Sequence, residues 1–388
     1  MTNTVSAERR LQDNRSETRA VLRDLAHHAQ SVWLNCFHRD MIRSGELSAL
    51  VADGLAGLTC NPTIFSHVTA GISDYDNIIG AYASSTATDR QILDAIVTRD
   101  VQDAADVFLR TYESTAGADG FVSIDVAPGL ARNANALIAE ARRLWRAVDR
   151  PNVMIKIPGT REAWPAIERC VHDGINVNIT LVCSVEQYRA AATALVRALD
   201  ARIAMGQTLD RVASACSVFL APIDREVNRR IDARGLSLTP VRGMAAIANA
   251  WLIYATYLDI AESARWKPLE ERGAKLPRPV WVCASNGSED NSGAHYAESL
   301  VAAGTVAAIS PAALHSVHVP ESPALSENIA DAQRTMDALA RGGINFADVC
   351  RTVIEGGVWT FNSSLDKLLG LIDHKRKILG GRTLNFFQ

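Results

Sequence analysis

The run NVMIKIPGT, residues 152–160, sets one lysine, Lys156, inside a strand-like apolar segment. The chain has only six lysines among its 40 basic residues, so a lysine in such a place stands out. A buried ammonium loses several kcal/mol of hydration, and burial therefore favours the neutral amine, the form that attacks a ketone or aldehyde. The product is an iminium, an electron sink for making or breaking the neighbouring carbon–carbon bond. Such chemistry also needs proton shuttles. Asp125, in GFVSIDVAP (120–128), and Thr180, in GINVNITLVCSVEQY (174–188), have the right groups. The pattern alone leaves a second use open: a snorkelling lysine, or a Lys156–Asp125 ion pair that merely fills space.

Positioning these residues requires strands. Short apolar, β-prone runs recur at Ser31–Asn35, Leu55–Cys60, Gly120–Val126, Val153–Ile157, Ile175–Leu181, Ala215–Ala221, Pro279–Ala284 and Thr305–Ile309. Amphipathic stretches such as Ala131–Val148 and Val185–Ile203 lie between them. Eight strands alternating with helices predict a single α/β barrel of the (β/α)₈ TIM type with additional N- and C-terminal helices. Residues 1–25 read as a polar leader and 26–388 as the barrel, whose last helical stretch packs across one barrel end. Side chains alternate along a strand. Val153, Ile155 and Ile157 therefore face the helices while Met154 and Lys156 face inward, and Ile175, Val177, Ile179 and Leu181 oppose Asn176, Asn178 and Thr180. The inward polar residues Asn35, Asn61, Asp125, Lys156, Asn178 and Thr180 come late in their strands, so they converge on the C-terminal mouth, where barrels carry their chemistry.

Composition excludes several other functions. Of 388 residues, 48% are hydrophobic and 21% charged, and the net charge of −3 gives no reason to expect nucleic acid or a membrane surface as partner. The most apolar stretch, Met244–Ala261, is interrupted by Asn249 and Asp259 and falls short of the roughly 18 uninterrupted apolar residues of a spanning helix. The polar N-terminus lacks the apolar core of a signal peptide, and the seven cysteines form no ligand-spaced cluster. The expectation is a cytoplasmic protein with reduced thiols, no metal and no cofactor, a monomer or homodimer acting on a small-molecule carbonyl substrate.

The segments LTCNPTIF (58–65), GFVSIDVAP, NVMIKIPGT and GINVNITLVCSVEQY together resemble transaldolases in their longer bacterial form. The match continues through RGMAAIANA (242–250), TVAAISPAAL (305–314) and the C-terminal EGG…F…S…DKLL stretch, spanning roughly residues 25–375. The resemblance implies that Lys156 is the Schiff-base lysine and that Thr180 holds the catalytic water. It further implies that Asn61 and Asn178 contact substrate hydroxyls and that Ser217 and Phe219 are the sixth-strand serine and aromatic. Transaldolases use these residues to move a dihydroxyacetone unit from a ketose phosphate to an aldose phosphate.

The departures from that pattern are specific. Asn35 stands where the family has the aspartate that serves as acid/base in carbon–carbon cleavage, and Asp125 replaces a glutamate. Pro222 takes the position of a phosphate-binding arginine, although Arg225 follows three residues later. After the seventh strand, Ala284-Ser285-Asn286-Gly287-Ser288-Glu289-Asp290 replaces a segment that carries a cation, which leaves Ser285 and Asn286 as substrate-binding candidates. No Lys or Arg occurs from Pro279 to Gln333, and phosphate recognition needs cations or backbone nests. The favoured expectation is a transaldolase-like enzyme of specialised metabolism that activates a non-phosphorylated carbonyl compound on Lys156 for carbon–carbon bond formation or transfer. The alternatives are a genuine transaldolase with displaced phosphate ligands and a catalytically silent barrel that binds.

Overall fold

The computed structural model describes residues 2–36, 38–59, 75–238, 241–283, 292–321 and 325–384. Their strands are β1 (Ser31–Leu34), β2 (Gly57–Leu58), β3 (Phe121–Asp125), β4 (Val153–Pro158), β5 (Val177–Val182), β6 (Ser214–Phe219), β7 (Arg278–Cys283) and β8 (Val306–Ile309). Each pairs in parallel with the next, and β8 closes on β1. All eight expected strands form, with ends displaced by a few residues.

Helices of two or more turns are α1 (Thr2–His27), α2 (Asp89–Ser114), α3 (Ala134–Val148), α4 (Trp164–His172), α5 (Val185–Ala204), α6 (Ala221–Ala233), α7 (Ala245–Ala261), α8 (Ser292–Ser299), α9 (Leu325–Arg341) and α10 (Phe346–Leu384). Their starts follow local chemistry. Thr88 makes a reciprocal capping box with Gln91 at α2, Asn133 accepts from the Ala136 N–H at α3, and Ser184 accepts from the Gln187 N–H at α5. Each cap satisfies amides that a helix start leaves unpaired. Among the described residues no helix is long and apolar enough to cross a membrane.

Two apolar layers result from the strand alternation. Outward-facing Val32, Leu34, Val122, Ile124, Val153, Ile155, Ile157, Val177 and Ile179 are buried in the main core with the helices. Inside the barrel, Trp33, Phe121, Met154, Ala215, Val280, Val306 and Ala308 form a separate buried cluster toward the strand starts. Trp33 packs so closely over Gly57 that a Cβ there would lie 2.6 Å from its Nε1, so only glycine fits. At the barrel's lower rim, Asn176 donates to the Pro151 and Val153 carbonyls and accepts from the Ala213 N–H.

The stretch read as a leader is helical from Thr2, and Val21, Leu22 and, one turn on, Leu25 are buried. At the other terminus, α10 crosses the C-terminal ends of the strands. Its Cys350 Sγ donates to the Cys183 carbonyl at 3.0 Å, and Gly357 lies against Leu181. Farther along, Lys375 reaches Asp76 at 2.6 Å and Arg376 donates to the Ala87 carbonyl at 2.8 Å, tying the far half of α10 down.

Candidate active site

β4 presents Lys156 two residues beyond Met154 on the inward face, directly above the apolar plug. Strand register then sets its neighbours: Asp125 of β3 stands opposite Lys156 on one side and Asn178 of β5 on the other. Lys156 is 4% exposed, and its Nζ lies 3.6 Å from Asp125 Oδ1. Burial pushes the Asp125 carboxyl up from its ordinary value to about 6, against the opposing pull of the Lys156 ammonium. A carboxylic acid that titrates near neutrality can both give and take protons at working pH. A buried ion pair of this kind is poor evidence for stability, because desolvating both charges offsets most of their attraction.

The floor beside the lysine is a short hydrogen-bonded chain. Asn178, fully buried, donates to Ser123 Oγ at 3.0 Å and accepts from Ser217 Oγ at 2.8 Å. Those two bonds fix the amide and leave one N–H for other use. Phe219, two residues beyond Ser217 on β6, is half-buried and sits edge-to-face with Phe361 of α10, the ring centroids 6.4 Å apart at 64°. Thus α10 contributes an aromatic to the mouth.

At the end of β5 the alternation read from sequence fails. Thr180 keeps the inward position, but pairing with β6 shifts register between Ile179 and Val182, and Leu181 adopts φ +58°. A branched residue in the left-handed region costs on the order of 1–3 kcal/mol and persists only where the surroundings enforce it. Instead of continuing the outward face, Leu181 packs upward against Gly357 of α10, where a Cβ would come within 2.5 Å of Leu181 Cδ2. Thr180 Oγ1 is buried and has no hydrogen-bond partner among the described residues.

Asn35 follows β1 directly, is 4% exposed, and is held by its backbone N–H to the Ile309 carbonyl at 2.9 Å. The structure therefore brings Lys156, Asp125, Asn178, Ser217 and Thr180 together at one barrel end, with Asn35 and Phe219 at other strand ends of that mouth. Asn61, Ser285 and Asn286 lie outside the described residues. Sequence reading missed the bulge at Leu181, the contact of Phe361 with Phe219, and Ser123 as partner of Asn178. Ser123 carried a signal, its inward position two residues before Asp125. Gly357, in the EGG triplet, carried one too.

On the side where phosphate would be gripped, Pro222 takes the first turn of α6. Two residues on, the buried Asp224 carboxylate accepts from the Ala246 N–H at 2.9 Å and the Tyr296 hydroxyl at 2.8 Å, and burial raises its pKa. Arg225 is exposed.

Comparison with known proteins agrees with this geometry. The family description Transaldolase/Fructose-6-phosphate aldolase matches residues 32–372. A transaldolase of Saccharopolyspora erythraea is 39% identical over 358 residues, covering 91% of this chain and 96% of the relative. One from Acidothermus cellulolyticus is 37% identical, covering 90% and 95%, and one from Trichodesmium erythraeum is 35% identical, covering 92% and 98%. With a matching family over most of its length and a lysine seated in the barrel mouth, the chain belongs to the transaldolase/fructose-6-phosphate aldolase family and is an enzyme of its Schiff-base-forming, transferase and aldolase type.

Proposed function

We propose that Lys156 activates a non-phosphorylated carbonyl compound for carbon–carbon bond formation or transfer. The observation that carries the reading is the buried Lys156–Asp125 pair, 3.6 Å apart, with Asp125 poised to about 6. In this reading the Lys156 amine adds to the carbonyl carbon to give a carbinolamine. Asp125 then relays a proton to the departing hydroxyl, so that water leaves and an iminium remains. Thr180 Oγ1 is buried with no partner among the described residues, and a buried hydroxyl left unpaired costs about 1–3 kcal/mol. It suits the water that carries this proton. Asn178, held by Ser123 and Ser217, offers its remaining N–H to a substrate hydroxyl, and Phe219 with Phe361 bounds the substrate.

The absence of phosphate follows from charge. Pro222 and the buried Asp224 occupy the start of α6, and in the sequence Glu289-Asp290 stands at the position where the family carries a cation. A carboxylate repels a phosphate dianion. Sugar phosphates should therefore be poor substrates. With fructose 6-phosphate as donor and erythrose 4-phosphate as acceptor, kcat/KM is expected well below the usual enzyme range of roughly 10⁴ M⁻¹s⁻¹ and above. A value inside that range would favour the second reading, an ordinary transaldolase, which is supported by the names of the relatives and by Arg225.

Asn35 separates these readings further. An amide orients a hydroxyl or carbonyl but removes no proton, so Asn35 fits a role in holding an acceptor. The change Asn35→Asp is expected to raise cleavage of fructose 6-phosphate by less than about tenfold, or about 1.4 kcal/mol, because the missing phosphate grip remains missing. It should also slow capture of carbonyl compounds, since a second carboxylate would compete with Asp125 for the proton. A large gain in cleavage with capture unchanged would instead describe a decayed transaldolase.

A further inference from the structure

One turn into α5, a side chain reaches back to the strained end of β5. Gln187, half-buried, uses every hydrogen-bonding group of its side-chain amide on backbone around the site. Its Oε1 accepts from the Cys183 N–H at 2.8 Å, and its Nε2 donates to the Leu181 carbonyl at 3.1 Å and to the Gly159 carbonyl at 2.8 Å. Of the first two partners, Leu181 lies within the register shift and Cys183 just beyond it. The third lies at the end of β4, three residues beyond Lys156. Gly159 in turn donates its N–H to the Thr180 carbonyl at 2.7 Å. This approach leaves little room: a Cβ on Gly159 would meet the Thr180 carbonyl oxygen at 3.3 Å and Gln187 Nε2 at 3.5 Å. Gln187 is itself anchored, since its backbone N–H donates to Ser184 Oγ, the cap of α5.

We infer that Gln187 is a positioning residue. Its amide staples the ends of β4 and β5 together, holds Leu181 in the left-handed conformation, and so aims the Thr180 hydroxyl into the mouth beside Lys156. The inference rests on the reading of Lys156 as the Schiff-base lysine and extends it to a residue that touches no reacting atom. Without the staple, residues 180–182 are free to relax toward regular strand geometry, which turns Thr180 away while leaving Lys156, Asp125 and Asn178 on their own strands. The loss should therefore fall on the rate of imine formation rather than on binding of the carbonyl compound.

The test uses dihydroxyacetone as probe, with cyanoborohydride trapping followed by intact mass. Wild type and Lys156→Arg are the controls. Gln187→Met keeps the side chain's length and removes all three of its bonds. Its maximal trapping rate is expected to fall roughly 10–100-fold, the scale of a displaced catalytic group, with the half-saturating dihydroxyacetone concentration within about twofold of wild type. Gln187→Glu covers the case in which the methionine variant folds poorly. A carboxylate accepts from Cys183 but faces two carbonyls with no proton to give, whereas the protonated acid can donate to one. Its rate relative to wild type should therefore rise several-fold between about pH 8 and about pH 5.5, as the acid form fills. Wild-type trapping by Gln187→Met overturns the positioning role, as does a fall only in proportion to folded protein together with a pH-independent ratio for Gln187→Glu. Failure of wild type itself to trap would instead sink the Schiff-base reading of Lys156.

Discussion

Lys156→Ala and Lys156→Arg are expected to abolish covalent capture of carbonyl compounds while leaving the barrel folded. The reason is chemical. Arginine retains the charge facing Asp125 yet never offers a neutral nucleophile at working pH, and alanine offers no nitrogen at all. Removing a covalent nucleophile lowers turnover on the scale of roughly 10⁶-fold, so residual activity should be near background. Structure should survive, because Lys156 lies above the apolar plug of Trp33, Phe121 and Met154 rather than within it. In the alanine variant, Asp125 loses its counter-charge and avoids burial of a lone carboxylate by taking up a proton. Circular dichroism and thermal melting provide the control. Wild-type-like turnover by either variant would remove Lys156 from the mechanism.

The second large effect is expected at Asp125. Positioned acid/base groups contribute about 10²–10⁴-fold, and Asp125→Asn should slow trapping of dihydroxyacetone by an amount in that range. Thr180→Val should slow it less, since only a hydrogen bond is lost. The direction of the pH dependence follows from the raised Asp125 carboxyl, half-protonated at about 6. Above that pH the carboxylate is present and can accept the first proton. Below it the acid form accumulates and the rate falls. Wild type should thus show a limb near pH 6 that Asp125→Asn lacks. If both variants trap at the wild-type rate, Asp125 is a counter-charge only and the water relay is wrong.

The barrel was legible in the sequence because its signals are local and repeated. Runs such as Val153–Ile157 are β-prone and apolar, and period-two alternation assigns faces from sequence alone. The same rule found Lys156, Asp125 and Asn178, whose convergence needs only parallel pairing in register. It failed at Leu181, because nothing in the local pattern distinguishes a leucine continuing an outward face from one turned by a bulge. Its neighbours lie outside that alternation: Gly357 of α10, more than 170 residues on, packs against Leu181, and the Gln187 amide six residues later bonds its carbonyl. An N-terminal helix was expected, but its reach back to Thr2, through the stretch read as a leader, was not. Polar residues dominate the composition of residues 1–25, while among the described side chains of that stretch the buried ones are Val21, Leu22 and Leu25. Pro222 begins α6, and Glu289-Asp290 lies outside the described residues, yet sequence gave no hint that Asp224 caps α7 and binds Tyr296. Those partners come from helices distant in the chain.

The central claim is that Lys156 forms an iminium with a carbonyl compound that carries no phosphate. The most direct measurement is borohydride trapping of wild type against a panel of phosphorylated and non-phosphorylated ketones and aldehydes, read by intact mass and then by peptide mapping. The account predicts one stable adduct per chain, on the peptide containing Lys156, formed with non-phosphorylated compounds and not with fructose 6-phosphate. An adduct on another lysine, no adduct with any compound, or preferential capture of the sugar phosphate would contradict it.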